Sequence, residues 1–323
     1  MGMIGKRRGK VVKGAGNPGS TGSDAVGGSL SKNDHWYIQE AFGFSGQPGA
    51  GAPPGFGNPT GHTATGGVIS DYAEPGGDVY RAHVFQSSGL FEVTALSGTY
   101  AANVEYLVVG GGGAGGTGNQ GSGVGGGGGG AGGLRTNYPG LPITSPVAFP
   151  IAAGPNTYVA IIGGGGANQN SENQLGGTPG QPSYFAPPTA SYPATNYIMG
   201  AGGGGGGSRI MTPSPGQASG DAGLTGGGSG GGGSYDEPGT YRPGGAVGAA
   251  DPNHPQPAGN AGAQGSGSAY SAGGGGAGSA GNTGGALQGG AGRQVLIAGN
   301  TGDSGVGGQG PGPSYGWFAG GGG

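Results

Sequence analysis

Runs of consecutive glycine dominate this chain and limit what it can fold into. They lie at Gly110–Gly113, Gly125–Gly130, Gly163–Gly166, Gly202–Gly207, Gly226–Gly228, Gly230–Gly233, Gly273–Gly276 and Gly320–Gly323. Ordering a glycine costs about 0.5–1 kcal/mol more than ordering an alanine, and glycine brings no side chain to a core. The spacing of the runs is too irregular for a strict solenoid repeat. The tracts are therefore either flexible linkers or a core made of main chain.

The purity and number of the tracts favour the packed interpretation. A polyproline-II-type helix has three residues per turn, and its N–H and C=O groups point outward. Without Cβ atoms, several such helices can pack side by side through N–H···O and supporting Cα–H···O bonds. Any branched side chain would wedge that packing open, whereas a linker has no need of uninterrupted glycine. Collagen is excluded, because no sustained Gly-X-Y register is present.

Composition excludes most conventional folds. Glycine makes up 96 of 323 residues, and Leu, Ile, Val and Phe together only 44. So few large apolar residues cannot form the core of a helical bundle, a Rossmann or barrel enzyme or a coiled coil. Charged residues are 8% and the net charge is −3, so charge repulsion does not keep the chain open. We predict a mainly β fold with a polyglycine-II helix bundle and almost no α-helix.

The N-terminal residues 1–70 are predicted to form a basic arm followed by an extended anchoring region. The basic residues of the arm are Lys6, Arg7, Arg8, Lys10 and Lys13. No acidic residue precedes Asp24, and the chain from residue 14 onward has 6 basic against 14 acidic residues. Such an arm is suited to docking on an acidic protein surface or on nucleic acid. The alternative is a solvated tail.

An aromatic island interrupts this polar region. It contains Trp36, Tyr37, Phe42 and Phe44. Leaving these rings in water is costly, at ~25 cal/mol per Å² of apolar surface. The island is expected to pack against a partner protein or against the next segment of the chain, and we assign it to anchoring.

Residues 71–109 are predicted to form a small antiparallel sheet, and residues 110–323 the glycine-rich region. Side chains alternate with period two over Val79–Gln86 and over Leu90–Leu96, with Ser87–Gly89 between them. That pattern is typical of a β-hairpin. Val104–Val109 follows as a third strand.

One family resemblance rests on the junction between this sheet and the tracts. Val104–Gly116 followed by Gly125–Arg135 resembles the start of glycine-rich domains in many bacteriophage virion proteins. These include tail-fibre tip adhesins of T-even-like phages and glycine-rich structural proteins of cyanophages. Tyr80–Phe85 and Ser88–Val93 are similar to the strand pair that precedes such domains. The resemblance covers residues 79–323. It implies a polyglycine-II sandwich whose variable loops contact the host surface and which often closes with a further β-strand, whereas this chain ends at Gly323.

Motifs of catalysis or cofactor binding do not withstand inspection. Gly110, Gly112 and Gly115 match the spacing of a dinucleotide-binding turn, but a glycine-rich stretch follows where that motif needs a helix. No phosphate-binding P-loop sequence is present. The histidines are scattered without metal-ligand spacing, and no apolar run is long enough to cross a bilayer. We expect no enzyme activity, no cofactor, no metal and no membrane insertion.

Aromatic and arginine side chains between the later tracts are the candidate receptor-binding residues. They are Tyr184, Phe185, Tyr192, Tyr235, Tyr241 and Arg242. Such side chains on loops held by a rigid scaffold are typical of recognition surfaces. The alternative is that the rings cap the open ends of the glycine packing and shield it from water. Both roles are compatible.

The sequence as a whole favours a phage virion structural protein, tail- or fibre-associated, that takes part in host-surface recognition. Its expected partners are other virion proteins, through the N-terminal region, and a host surface glycan or outer-membrane protein. A homo-oligomer is compatible with this role. The alternatives are a capsid decoration or head fibre protein, a disordered glycine-rich matrix or linker protein, and an ice-binding or extracellular ligand domain.

Overall fold

The fold is described here from a computed structural model. The structure describes residues 3–9, 61–73, 79–118, 125–141, 148–152, 156–167, 176–187, 197–208, 228–236, 240–248, 258–265, 271–283, 288–298, 306–310 and 314–323. These residues contain β-strands and no helix. The strands are β1 Met3–Gly9, β2 Thr63–Thr65, β3 Val68–Ala73, β4 Val79–Phe85, β5 Gly89–Ala95, β6 Asn103–Val109, β7 Leu134–Thr136, β8 Phe149–Pro150, β9 Asn156–Ile161, β10 Ser183–Ala186, β11 Ile198–Gly200, β12 Tyr235–Asp236, β13 Thr240–Tyr241, β14 Arg293–Gln294 and β15 Trp317–Phe318. The predicted β class is confirmed at this level.

Two larger antiparallel sheets and two short strand pairs make up this β structure. Sheet I has the strand order β3-β4-β1-β6-β7, and β8 also pairs with β6. Sheet II has the order β11-β10-β9-β5-β2. The strands β12 and β13 form one short pair, and β14 and β15 form the other.

An aromatic core lies between sheets I and II. The Phe185 ring of β10 packs 4.9 Å from Phe149 and 5.4 Å from Tyr158, between ring centroids. Sheet I contributes alternate residues of β6, among them Tyr106 and Val108, to the same core. The two sheets therefore form a sandwich held together by side-chain burial.

A second apolar cluster covers the opposite face of sheet I. Here Leu107 and Val109 of β6 pack in one cluster with Ile297 and Phe318 from the C-terminal part of the chain. Because β6 is buried on both faces, its sequence is a continuous apolar run from Tyr106 to Val109.

The predicted hairpin is corrected by the strand pairing. All three predicted strands are present, as β4, β5 and β6. However, β4 lies between β3 and β1, whereas β5 lies between β9 and β2. Phe85 and Phe91 consequently enter the central core from opposite sheets. Alternation of side chains marks a strand but carries no information about its hydrogen-bonding neighbours, so residues 71–109 do not close into a sheet of their own.

The N-terminal arm is also corrected in part. Met3–Gly9 forms β1, a central strand of sheet I, with Met3 opposite Phe85 on β4 and Val108 on β6. Residues 63–65 and 68–70 of the predicted anchoring region likewise belong to sheets, in β2 and β3. The backbone N–H and C=O groups of β4 and β6 that face each other need hydrogen-bond partners, and β1 provides them by pairing with both strands.

The glycine tracts lie side by side and bond to one another with a three-residue period. The N–H groups of Gly110, Gly113 and Gly116 donate to the carbonyls of Gly133, Gly130 and Gly127, at 3.0, 2.8 and 2.8 Å. A β-ladder repeats every second residue instead. We call these bonded segments the tract array. It comprises residues 110–116, 125–133, 163–166, 177–181, 200–207, 228–234, 242–248, 258–265, 271–283, 288–292 and 319–323.

At many glycines inside the array the backbones approach so closely that a side chain has no room. A Cβ atom on Gly203 would meet the carbonyl oxygens of Gly130 and Ala131, the latter at 2.6 Å. On Gly113 it would meet the carbonyl of Gly204. Glycine at these positions is therefore required by the packing.

Candidate functional site: the far end of the tract array

The tract array has two distinct ends. Gly110, Gly133 and Ala201 are bonded to one another where the tracts leave or enter the sheets, and we call this level the sheet end. Six residues further along the first tract, Gly116 is bonded to Gly127, which is bonded to Gly207. We call that level the far end.

Several connections between tracts leave and return at the far end. Their sequence positions are 119–124, 168–175, 237–239, 266–270 and 284–287. The described residues that flank them bond across this level; for example, Ser271 Oγ donates to the carbonyl of Gly125. Another connection, 249–257, joins Gly248 and Ala258, which bond to Gly228 and Leu134 at the sheet end. The described residues that flank these five connections therefore lie at the far end.

Three predicted receptor-binding residues lie at the far end. Tyr235 and Tyr241 are opposite each other in the β12–β13 pair. Arg242 follows directly; its N–H donates to the carbonyl of Ser234 at 3.0 Å, and its own carbonyl accepts from Gly265 at 3.1 Å. Arg242 is half-buried. The chain reversal that joins two tracts therefore brings these three residues together.

Tyr184 and Phe185 lie elsewhere. Both belong to β10 of sheet II, at the sheet end, and are not on a loop. Phe185 is only 2% exposed, because its ring fills the aromatic core, so its predicted placement on a binding loop is corrected. Tyr184 is half-buried. Tyr192 lies outside the described residues.

The predicted anchoring residues are only partly described. Lys6, Arg7 and Arg8 belong to β1, and the backbone register sets Lys6 opposite Glu105 on β6. Arg7 stands opposite Arg81 on β4. The remaining anchoring residues lie outside the described part of the chain; they are Lys10, Lys13, Trp36, Tyr37, Phe42 and Phe44.

One segment whose described flanking residues lie at the far end was not among the predicted binding residues, because it contains no aromatic side chain. Residues 168–174 read Asn-Gln-Asn-Ser-Glu-Asn-Gln and are separated from the tract at Gly163–Gly166 by Ala167. Side-chain amides offer both donors and acceptors, which suits hydroxyl-rich ligands. The sequence signal that could have identified it is its high content of side-chain amides. The two tracts on either side of it, 163–166 and 177–181, both bond to Gly110–Gly116.

The match to a family of known proteins covers this entire architecture beyond β4. A family model described as a glycine-rich domain matches residues 86–323. The chain belongs to the glycine-rich domain family. No curated protein and no solved structure matches the chain.

Within the glycine-rich domain, the match begins at Gln86, between β4 and β5, so the family region includes the strands β5 to β15, the tract array and the far end. The strands β1, β3 and β4 of sheet I and β2 of sheet II precede it. Among the described residues, no helix has the length and apolarity needed to cross a membrane, and no group of metal-ligating side chains is found.

Proposed function

We propose that this chain is a non-enzymatic structural protein of a bacteriophage particle, in which a rigid polyglycine-II sandwich displays recognition loops. The observation that carries the proposal is the three-residue hydrogen-bond period of the tract array. A polyproline-II-type helix has three residues per turn, so each ridge of such a helix faces one neighbour. Between Gly110 and Gly116 such a helix rises about 19 Å.

The loop arrangement supports a role in recognition. Binding residues are commonly placed on loops that a rigid scaffold holds in position. The described residues that flank positions 168–175 and 237–239 lie at the far end, together with Tyr235, Tyr241 and Arg242. Tyrosine and arginine combine an apolar body with polar donors, which suits contact with sugars or with a protein receptor.

We place the protein on the tail or its fibres, attached to other virion proteins through its N-terminal region and facing a host surface glycan or outer-membrane protein. The support is the resemblance of residues 79–323 to phage glycine-rich domains, together with the separation of the N-terminal strands from the far end. A capsid decoration or head fibre protein remains the alternative position on the particle.

Replacing far-end loops in the phage tests the recognition role. Residues 168–175 and 237–239 are exchanged for Gly-Ser segments of equal length, and the matched control exchanges 249–257 at the sheet end. We expect virions that assemble in both cases, with adsorption slowed more than about tenfold only by the far-end exchange. Unchanged adsorption would refute host recognition and favour a capsid position.

Hydrogen exchange of the purified chain tests the scaffold itself. Gly130 donates its N–H to Gly204, and Gly204 donates to Ser229, both at 2.8 Å. If the tracts are packed helices, these amides exchange at least about a thousandfold more slowly than free glycine amides. Exchange at the free rate is the result expected of a disordered matrix or linker protein.

A further inference from the structure

The amides of the first glycine tract fall on three ridges with different surroundings. The amides of Gly110, Gly113 and Gly116 donate to the tract 125–133. Those of Gly111 and Ala114 donate to the carbonyls of Gln181 and Thr178, at 2.9 and 3.0 Å. Within the described residues, the amides of Gly112 and Gly115 donate no hydrogen bond. This third ridge faces solvent.

Glycine is not needed on that third ridge for the packing of this molecule. Gly112 and Gly115 are exposed, and a Cβ on either would lie 3.7 and 3.6 Å from the nearest carbonyl oxygen, an ordinary contact. The neighbouring tract is equally open, because a Cβ on Gly164 would meet nothing within 4 Å and one on Gly165 only an oxygen at 3.5 Å. We call Gly112, Gly115, Gly164 and Gly165 the bare ridge.

A tract elsewhere on the array shows what an ordinary solvent ridge looks like. In 258–265 the exposed positions with no bonded amide in the described residues are Ala261 and Gln264, three residues apart. They correspond to Gly112 and Gly115 in the first tract. Because glycine raises the entropy cost of folding, retaining it where a side chain fits requires another reason. The close approach of another backbone to this ridge would provide that reason.

The bare ridge also lies beside a layer that is already partly occupied. The tract 319–323 bonds to the tract 125–133 through the N–H of Gly322 and the carbonyl of Gly129, at 2.8 Å. The first tract bonds to the same tract 125–133. Gly320 and Gly322 are themselves exposed. The tract 319–323 therefore forms the beginning of an outer layer, and the bare ridge is where that layer would continue.

We infer that the bare ridge is an interface, and that its occupant is the bare ridge of a second copy of this chain. This inference rests on the proposed polyglycine-II scaffold. The ridge offers amide donors at Gly112 and Gly115 and, at Gly165, a carbonyl that accepts no bond from the described residues. Donors and acceptors on one surface make it self-complementary, as a two-fold interface requires. A second glycine tract brings the same three-residue spacing and no side chains that hold the backbones apart.

The experiment compares the full chain with Gly112→Gln/Gly115→Gln, which copies the natural Gln264, by sedimentation velocity over a range of protein concentrations. The matched control is Ala261→Gln, at an exposed position of the tract 258–265. We expect the unmodified chain and the control to dimerise, and the double variant to raise the dissociation constant at least about tenfold. Gly164→Gln, on the adjacent tract, is expected to weaken the dimer in the same way.

Hydrogen exchange at Gly130 and Gly204 is measured on the same samples, so that loss of the scaffold is distinguished from loss of the interface. If the inner amides are protected but the unmodified chain is monomeric, the inference is overturned. This includes the case in which another segment of the same chain protects the amide of Gly112. A dimer unaffected by both glutamine variants would overturn it too. Unprotected inner amides would instead refute the scaffold, and the inference with it.

Discussion

The β-sandwich and the tract array solve the problem of a stable interior in opposite ways. In the sandwich, strands stand apart and large rings such as Phe91, Phe149 and Phe185 fill the space between two sheets. In the array, backbones touch, and the carbonyl of Gly130 lies where a Cβ of Gly203 would be. One region depends on side chains being present, and the other on their absence.

The difference shows which free-energy terms act in each region. Burying a phenylalanine side chain contributes about 1.5–3 kcal/mol, whereas a buried glycine has no side chain to contribute. A backbone hydrogen bond contributes a net amount of about 0.5–1.5 kcal/mol, similar in size to the extra entropy cost of ordering glycine. The array therefore also needs the dispersion energy of its close backbone contacts, and anything that separates the backbones removes both terms at once.

The largest single-residue effect is expected in the sandwich. Phe185→Ala should lower the free energy of unfolding by about 3–5 kcal/mol, because it leaves a cavity beside Phe149 and Tyr158. Denaturant titration of the full chain measures the loss. Tyr184→Ala on the same strand is the control, with a smaller loss because Tyr184 is only half-buried. Equal losses for the two variants would contradict the assignment of Phe185 to the core.

A smaller loss of stability is expected in the array, where it comes from adding a side-chain atom and not from removing one. Gly203→Ala adds one methyl group and should destabilise the chain by about 1–3 kcal/mol, because the new atom meets backbone carbonyls that cannot turn away. Gly125→Ala lies outside the bare ridge, and its Cβ would lie 3.6 Å from the nearest atom, Ser271 Oγ, so it should change the stability by less than about 0.5 kcal/mol. Denaturant titration compares the two variants. If both are neutral, close backbone packing does not hold the array together.

The sequence predicts local features of this fold better than long-range ones. Period-two alternation located β4 and β5, and the short apolar stretch Val104–Val109 located β6, within a few residues, because both patterns are local properties of the chain. It did not predict that β4 pairs with β1, whose residues Met3–Gly9 are read as a basic arm because charge dominates them. Pairing between segments so distant depends on the whole sheet, and no local pattern encodes it.

The same limit applies to the candidate site. Tyr235 and Tyr241 were predicted as candidates because they flank Asp236-Glu237-Pro238 between glycine tracts, and the structure sets them opposite each other in the β12–β13 pair. Phe185 was chosen on the same grounds, yet it is buried, since burial depends on which face of β10 meets sheet I. The end of the array at which a loop lies depends on the direction in which the flanking tracts run. A tract of identical glycines does not reveal that direction in the sequence.

The smallest expected effect concerns charge at the exposed edge of sheet I. Arg81 on β4 donates from Nε and Nη2 to the two carboxylate oxygens of Asp71 on β3, both at 2.8 Å. A double-mutant cycle with Asp71→Asn and Arg81→Gln should give a coupling energy of about 0.2–1 kcal/mol, because the carboxylate is partly solvated. The coupling should shrink in 1 M salt, where the Debye length is about 3 Å. A salt-insensitive coupling energy above about 2 kcal/mol would mean that ion pairing, and not side-chain burial alone, stabilises this edge. Ion pairing would then have to be added to side-chain burial and close backbone packing in comparing the sandwich with the array.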